Sequence, residues 1–411
     1  MGDELPVGRR VAYWRNRRKL SQQVFADRLG KSKSWVDKVE RGVRRLDRWS
    51  VLREVAQALG VAPAVLLDDT APTAPGRPGD GPPGSGHPGS DPSAADRVGD
   101  GRTSGVGLVR AALARYPGLL PSGDDPPVDP GRYRIRIAHA EAGYDRAEYP
   151  SLLRLLPGLL DESHRREVSA DLRIRGYRLT AQVMVKLGDP ELSWLAADRG
   201  LTLATTVDDP LLEAVAALPL GQALRSAGYP RAAFEATVAA AHQVTPLTPD
   251  PGTPAARSAS VALLVQAALA AAEREDPSTT LDLLDDATTL TEPEGPQRAA
   301  VDAAGVTAAT AFGDHRTAVE LHEILTARPG WRGLPIEHRA GYLLDVAGAY
   351  LAADDTPGAV RTLRAADRLA PPEVRVRPAG RAVLADVLDR VPTPDPHLLA
   401  LAEAAGLHGA W

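Results

Sequence analysis

The chain has 411 residues, 44% of them hydrophobic, which is too long for one compact core and predicts two or more soluble domains. It contains no cysteine, so disulfides and thiolate metal sites are excluded, and its first ten residues lack the apolar core of a signal peptide. A formal net charge of −5 conceals a basic head on an acidic body: residues 5–60 hold 15 Lys and Arg against 5 Asp and Glu, leaving about +10 there and about −15 elsewhere.

In chain order, residues 6–19 are expected to form a first helix with Val11 inward and Arg9, Arg10, Arg17 and Arg18 as a cationic surface suited to phosphate. Ser21 can cap a second helix, its hydroxyl accepting an orphan backbone N–H, and Gly30 supplies the left-handed residue that ends it. Ser32 then caps a third helix. Val36 and Val39 face inward, which leaves Lys33, Ser34, Trp35, Asp37 and Lys38 outside as a candidate reading face. Asp47 can cap a fourth helix over residues 48–59, with Val51, Leu52, Val55, Ala56 and Leu59 at helical spacing. Pro63 opens a last turn to Leu67 over the small core, completing a five-helix domain within residues 1–69.

At these residues the sequence resembles the Cro/repressor-like (XRE) family of bacterial helix-turn-helix transcription regulators. Gln22 stands where that family contacts phosphate, Phe25 and Ala26 match its large-then-small pair, and Leu29, Gly30 and Ser32 match its turn. Glu40, Arg41 and Gly42 match its helix-ending motif, and Arg15 stands where the family has the arginine that pairs with this glutamate. Lys31 departs from the pattern, which usually has an apolar residue there; its stem can snorkel or its charge can meet a phosphate. The resemblance implies double-stranded operator DNA as partner, touched by Gln22, Lys31, Ser32, Lys33, Ser34, Trp35, Asp37, Lys38 and Arg41, with Arg15 and Glu40 as a structural ion pair. Trp35 either touches base methyls or covers the core. Asp37 either accepts from a cytosine amino group or pairs with Arg41 or Lys38, the pair being favoured.

Residues 70–103 are dominated by Pro, Gly, Ser, Asp and Thr and predict a disordered linker, with an r.m.s. reach of ~30–35 Å. That span approaches the ~34–36 Å between DNA half-sites one turn apart. A short helix over residues 106–116 and a Pro-rich connection over 117–130 follow. From Arg132 onward only helical periodicity is visible, punctuated by turns at Ala142-Gly143-Tyr144, Leu187-Gly188-Asp189, Ala227-Gly228-Tyr229, Glu275-Asp276, Phe312-Gly313-Asp314 and Ala353-Asp354-Asp355. This spacing reads as a repeat. The region resembles tetratricopeptide-like (TPR-like) repeats, most clearly at Ala347, Tyr350, Ala359, Leu363 and Ala366, although its period is longer. The expected fold is therefore all-α: the helix-turn-helix head, the Pro/Gly-rich linker, and over residues 104–411 a right-handed α-solenoid of six or seven helix pairs. The abundance of Ala, Arg, Pro and Asp further suggests a GC-rich genome, and the chain as a whole resembles such regulators of the actinobacterial type.

No phosphate loop, H-E-x-x-H or G-x-S-x-G motif occurs, so no catalytic residue, cofactor or metal is assigned and an enzyme is not expected. His315 and His322 are two turns apart on one helix, about 10 Å, and would share an ion only if the helix distorted; packing or surface roles are favoured. The pairs Asp208-Asp209, Asp285-Asp286 and Asp354-Asp355 are expected at helix ends, as caps. The longest apolar run, residues 261–272 broken by Gln266, is too short to span a bilayer, so a cytoplasmic location with no membrane partner is expected. A small head on a long linker calls for a homodimer on an inverted-repeat operator. The resemblance implies that the solenoid groove holds a peptide or small-molecule effector; the alternative is a DNA-tethered protein-interaction scaffold with no small ligand.

Overall fold

A computed structural model describes residues 7–44, 49–59, 100–115, 127–244 and 253–407. Asp47, the turn at 63–67, linker residues 70–99, the connection at 117–126 and the side chain of Leu52 lie outside the described set. Among the described residues every regular element is a helix. Two compact units divide near residue 104.

The first unit contains α1 (Val7–Arg17), α2 (Gln22–Arg28), α3 (Lys33–Glu40) and α4 (Trp49–Leu59). Val11, Phe25, Ala26, Val36, Val39, Val55, Ala56 and Leu59 are buried. Gly8 matters here, because a side-chain carbon on it would overlap the carbonyl oxygen of Val39; glycine lets α1 lie against the end of α3. Arg10, expected on the cationic surface with Arg9, Arg17 and Arg18, is buried instead at 9% exposure, one position before Val11 on the inward face of α1.

The division falls within α5 (Asp100–Leu113), the second unit resuming at Gly105; this helix takes in residues 100–103 that their composition assigns to the linker and ends before the expected Tyr116. Among the described residues the repeat follows as seven helix pairs: α6 (Pro130–Asp145) with α7 (Tyr149–Ser163), α8 (Ala170–Leu187) with α9 (Pro190–Ala204), and α10 (Pro210–Ser226) with α11 (Pro230–Val244). Next come α12 (Pro254–Glu273) with α13 (Pro277–Thr289) and α14 (Pro296–Ala311) with α15 (His315–Ala327). After the short α16 (Pro329–Gly333) come α17 (Ile336–Ala352) with α18 (Thr356–Leu369). The short α19 (Pro371–Arg375) then leads into α20 (Pro378–Arg390) with α21 (Pro396–Ala404). The first helix of each pair also packs on the first helix of the next, whereas the second helices stand apart. First helices therefore form an inner wall and second helices an outer one.

One local device recurs within the pairs. A residue in the left-handed region ends the first helix, and in four of the pairs an aspartate then caps the second. Gly188 (φ 76°) precedes Asp189, Glu275 (φ 56°) precedes Asp276, Gly313 (φ 76°) precedes Asp314, and Asp354 (φ 59°) precedes Asp355. Each carboxylate accepts the second helix's orphan N–H, and proline often occupies the first turn, where it forfeits no hydrogen bond. The first expected turn is displaced. Gly143 is buried inside α6, beside Glu148 and Leu152, and the chain turns four residues later at Ala147 (φ 59°). Asp209 and Asp355 cap as expected, but Asp285 and Asp286 sit within α13, which buries Leu283, Leu284 and Ala287 on either side of them.

The helix α12 extends the apolar run expected at 261–272 to 20 residues and is long and apolar enough, by length and composition, to cross a membrane. It is packed between α10, α11, α13 and α14, and its Leu263, Ala267, Ala268, Ala270 and Ala271 are buried, which makes it a central helix of the repeat. Ala347, Tyr350, Ala359, Leu363 and Ala366 all lie in the core shared by α17 and α18.

The repeat turns far enough for its early helices to meet its late ones. Lys186 on α8 pairs with Glu337 on α17 and lies 3.3 Å from Glu373 on α19. Arg377 donates to Glu373 at 3.0 Å, Tyr149 donates to the same carboxylate, and Tyr144 reaches Glu337 at 3.4 Å. Glu373 is wholly buried. Burial pushes its carboxyl up, yet Lys186 and Arg377 together hold it below the ordinary value. Gly341 makes room for this seam: a side-chain carbon there would lie 3.0 Å from Lys186 Nζ and 3.2 Å from both Arg377 and Glu373.

Candidate nucleic-acid interface

The turn between α2 and α3 is set by short-range chemistry. Ser21 Oγ accepts from the Val24 N–H at 3.2 Å, and Ser32 Oγ accepts from the Trp35 N–H at 3.1 Å, so both helices start on a hydroxyl cap. Gly30 takes φ 61°, and the Lys31 N–H donates back to the Ala26 carbonyl at 3.0 Å, closing α2. The orientation of α3 is thereby fixed relative to α2.

A buried polar network then ties α3 to α1. Arg15 Nε donates to Glu40 Oε1 at 2.5 Å and its Nη2 to Oε2 at 3.0 Å, while its remaining terminal nitrogen donates to the Leu20 carbonyl at 2.7 Å. Both side chains are nearly buried, at 8% and 7% exposure. Gln22 is the third member: its amide nitrogen donates to Glu40 Oε2 at 2.8 Å. A phosphate contact by Gln22 would have to coexist with that bond. The guanidinium fork thus satisfies both carboxylate oxygens, and three segments separated in sequence become one rigid support.

On the opposite side, Lys33, Ser34 and Lys38 are exposed, with Lys31 and the Ser32 cap at the N-terminal end of the same surface. Trp35 is half-buried, with the Arg44 guanidinium 5.9 Å from its ring centroid, so the indole lies at the margin of core and surface. Asp37 pairs with Arg41 at 2.5 Å, one turn apart on the exposed surface, which leaves the net charge of the face to the lysines. Arg9, Arg17 and Arg18 are exposed on and just beyond α1; Arg17 also stacks 5.3 Å from Trp14 and donates to the Tyr13 hydroxyl at 3.0 Å.

Arg44, Tyr13 and the anchoring role of Gln22 were not read from the sequence. Arg44 sits after the helix-ending glycine, where no periodicity marks it, and the Gln22 bond depends on a carboxylate 18 positions away. Of the two histidines weighed as a metal site, His322 is buried and hydrogen-bonded through Nδ1 to the Tyr342 hydroxyl at 3.1 Å. Among the described residues no cluster of three potential metal ligands occurs.

This arrangement places a rigid, capped helix with an exposed cationic and hydroxyl-bearing side next to further exposed arginines, which is what phosphate and base-edge contact require. Residues 6–69 match the model of a helix-turn-helix domain, so this segment is similar to that family. No curated protein matches the chain.

Proposed function

We propose that the chain is a sequence-specific transcription regulator of the XRE type, in which α3 reads an operator through Lys33, Ser34, Trp35 and Lys38, with Gln22, Lys31, Ser32 and Arg41 as flanking contacts. The domain match supports a DNA-binding regulator. The observation that carries the finer reading is the Arg15–Glu40–Gln22 network, which immobilises α3 while leaving its lysines outward. A helix held this way enters a major groove without reorganising. The TPR-like helical-repeat body, in this reading, dimerises, sets two heads on an inverted repeat and senses a peptide or small molecule on its inner wall; it works in the cytoplasm and carries no catalytic activity.

A second reading makes the body a protein-interaction scaffold with no small ligand, and an exposed apolar groove on the outer wall favours it. The experiment that tests the leading reading is selection of duplexes from a random pool by the full-length protein, followed by the same selection with Lys33→Ala. A palindromic consensus that the variant loses or relaxes is the expected result. Recovery of unenriched duplexes by the wild type would overturn it.

A further inference from the structure

Second helices of neighbouring pairs stand apart along the outer wall, and between α13 and α15 the gap is lined by large apolar side chains that no other described residue covers. Leu281 on α13 is 65% exposed, and Leu321 and Ile324 on α15 are 38% and 54% exposed. The floor belongs to α14, where Gly305, Ala308 and Ala309 keep it low. Two cavities of about 440 and 650 Å³ run together here, sharing Leu281, Leu284, Gly305 and Leu321. Both walls are 13-residue helices, so the groove is about 20 Å long, the length of three to four helical turns.

Its rim is acidic. α13 carries Asp282, Asp285 and Asp286 and no basic residue, and Glu275 and Asp314 stand at the open end. The two arginines of the lining, Arg298 and Arg328, share one carboxylate, Asp302, at 2.9 and 2.6 Å, which leaves a single positive charge there against Asp285, Glu275 and Asp314. Arg316 pairs with Glu320 at 3.2 Å. A second copy docked through this face about a two-fold axis would set acidic α13 against acidic α13, which costs rather than gains. The chain's own basic helix is already committed, since α1 buries Val11 and Arg15 in its own unit.

We infer that the α13–α15 groove is a docking site for a basic amphipathic α-helix of another protein, with three or four apolar anchors at i, i+3 or i+4, and i+7 on one side and Lys or Arg along its flanks. Leu281, Leu321 and Ile324 supply the apolar contact and Asp285 with Glu275 the charge complement. The inference deepens the scaffold reading and does not depend on how α3 reads DNA or on an effector inside the repeat.

The test uses the full-length protein and a fluorescein-labelled 14-residue peptide built only of Leu and Lys, with leucines at i, i+3, i+4, i+7, i+8 and i+11. Two controls are the same peptide with Glu for each Lys and an isomer with its leucines scrambled. Two protein variants address the groove: Leu281→Gln with Ile324→Gln, both exposed positions, and Gly305→Leu, which fills the floor where a side-chain carbon meets only Leu284 at 3.9 Å. Unchanged thermal melting establishes that each variant is folded; should Gly305→Leu melt early, the exposed double variant alone decides. Saturable one-to-one binding below about 100 μM is expected, with affinity at least about tenfold weaker for either folded variant and for both control peptides. Equal binding by the variants would mean attraction to the acidic body at large and would overturn the assignment, as would equal binding of the Glu peptide or no saturable binding. A wild-type dimer that the groove variants dissociate would instead identify the face as a self-interface and equally overturn it.

Discussion

Replacing Arg15 with Met should bring the helix-turn-helix unit to the edge of unfolding while leaving the helical repeat intact. The substitution removes three donated hydrogen bonds, two to Glu40 and one to the Leu20 carbonyl, and leaves a nearly buried carboxylate with the Gln22 amide as its only donor in this network. Removing one partner of such a pair costs ~3–5 kcal/mol, whereas a domain of this size has only ~3–10 kcal/mol in total. Hydrogen exchange at the Val36 and Val39 amides, measured in the full chain, reports opening of this unit without interference from melting of the repeat. Protection should fall about 10²–10⁴-fold in Arg15→Met, the equivalent of that loss, and by a comparable amount in Glu40→Leu. The double variant should recover to within about tenfold of wild type, because two apolar side chains of similar volume leave no charge stranded. Losses in the double variant equal to the sum of the single losses would show that the two side chains are not coupled, and the network would not be what holds α3.

The seam of the repeat is open to the same logic: Lys186→Met leaves Glu337 and Glu373 buried without their shared cation and should cost ~3–5 kcal/mol, seen as a lower melting temperature and a larger radius by small-angle scattering; no change in either would refute it. Burial lowers the pKa of His322, and of His164 and His338, below the ordinary value of 6.5. The folded repeat therefore prefers these rings neutral, so its stability is full above 6.5 and falls as pH drops toward their depressed values. Asp145 and Asp345, held high by burial, act in the opposite sense, so the comparison that isolates the effect is His322→Leu. Urea unfolding between pH 7.5 and 5 should show a smaller acid loss in that variant, and identical profiles would contradict the assignment. On the proposed homodimer, the full-length protein should sediment as a dimer at DNA-binding concentrations and protect two half-sites in inverted orientation; a monomer bound to a single half-site would end that part of the account.

Much of the head was legible because its signals are short-range. Ser21, Gly30 and Ser32 act on backbone groups within three or four residues, and Val36 and Val39 show their burial through periodicity alone. The Arg15–Glu40 pair spans 25 positions and was legible only through family resemblance. Arg10 illustrates the limit, since charge alone placed it outside while the register of α1 turned it inward beside Val11. In the repeat, glycine and acidic residues marked five turns at their positions, but Gly143 misled: it serves close packing inside α6, and Ala147 turns the chain without any compositional flag. The Lys186–Glu337–Glu373 seam and the α13–α15 groove join residues far apart in the chain or helices whose spacing depends on superhelical geometry, and neither leaves a local pattern.

The central claim is that α3 reads DNA, and fluorescence anisotropy on the selected duplex and a scrambled duplex across a series of salt concentrations tests it most directly. Lys33→Ala and Lys38→Ala, both exposed, should each weaken selected-duplex binding by ~1–3 kcal/mol where they touch base edges, narrowing the gap to the scrambled duplex. Where a lysine meets only phosphate, both duplexes should weaken together and the salt slope should fall by about one. Wild-type affinity, specificity and salt slope in the Lys33→Ala and Lys38→Ala variants alike would show that the exposed side of α3 does not meet DNA.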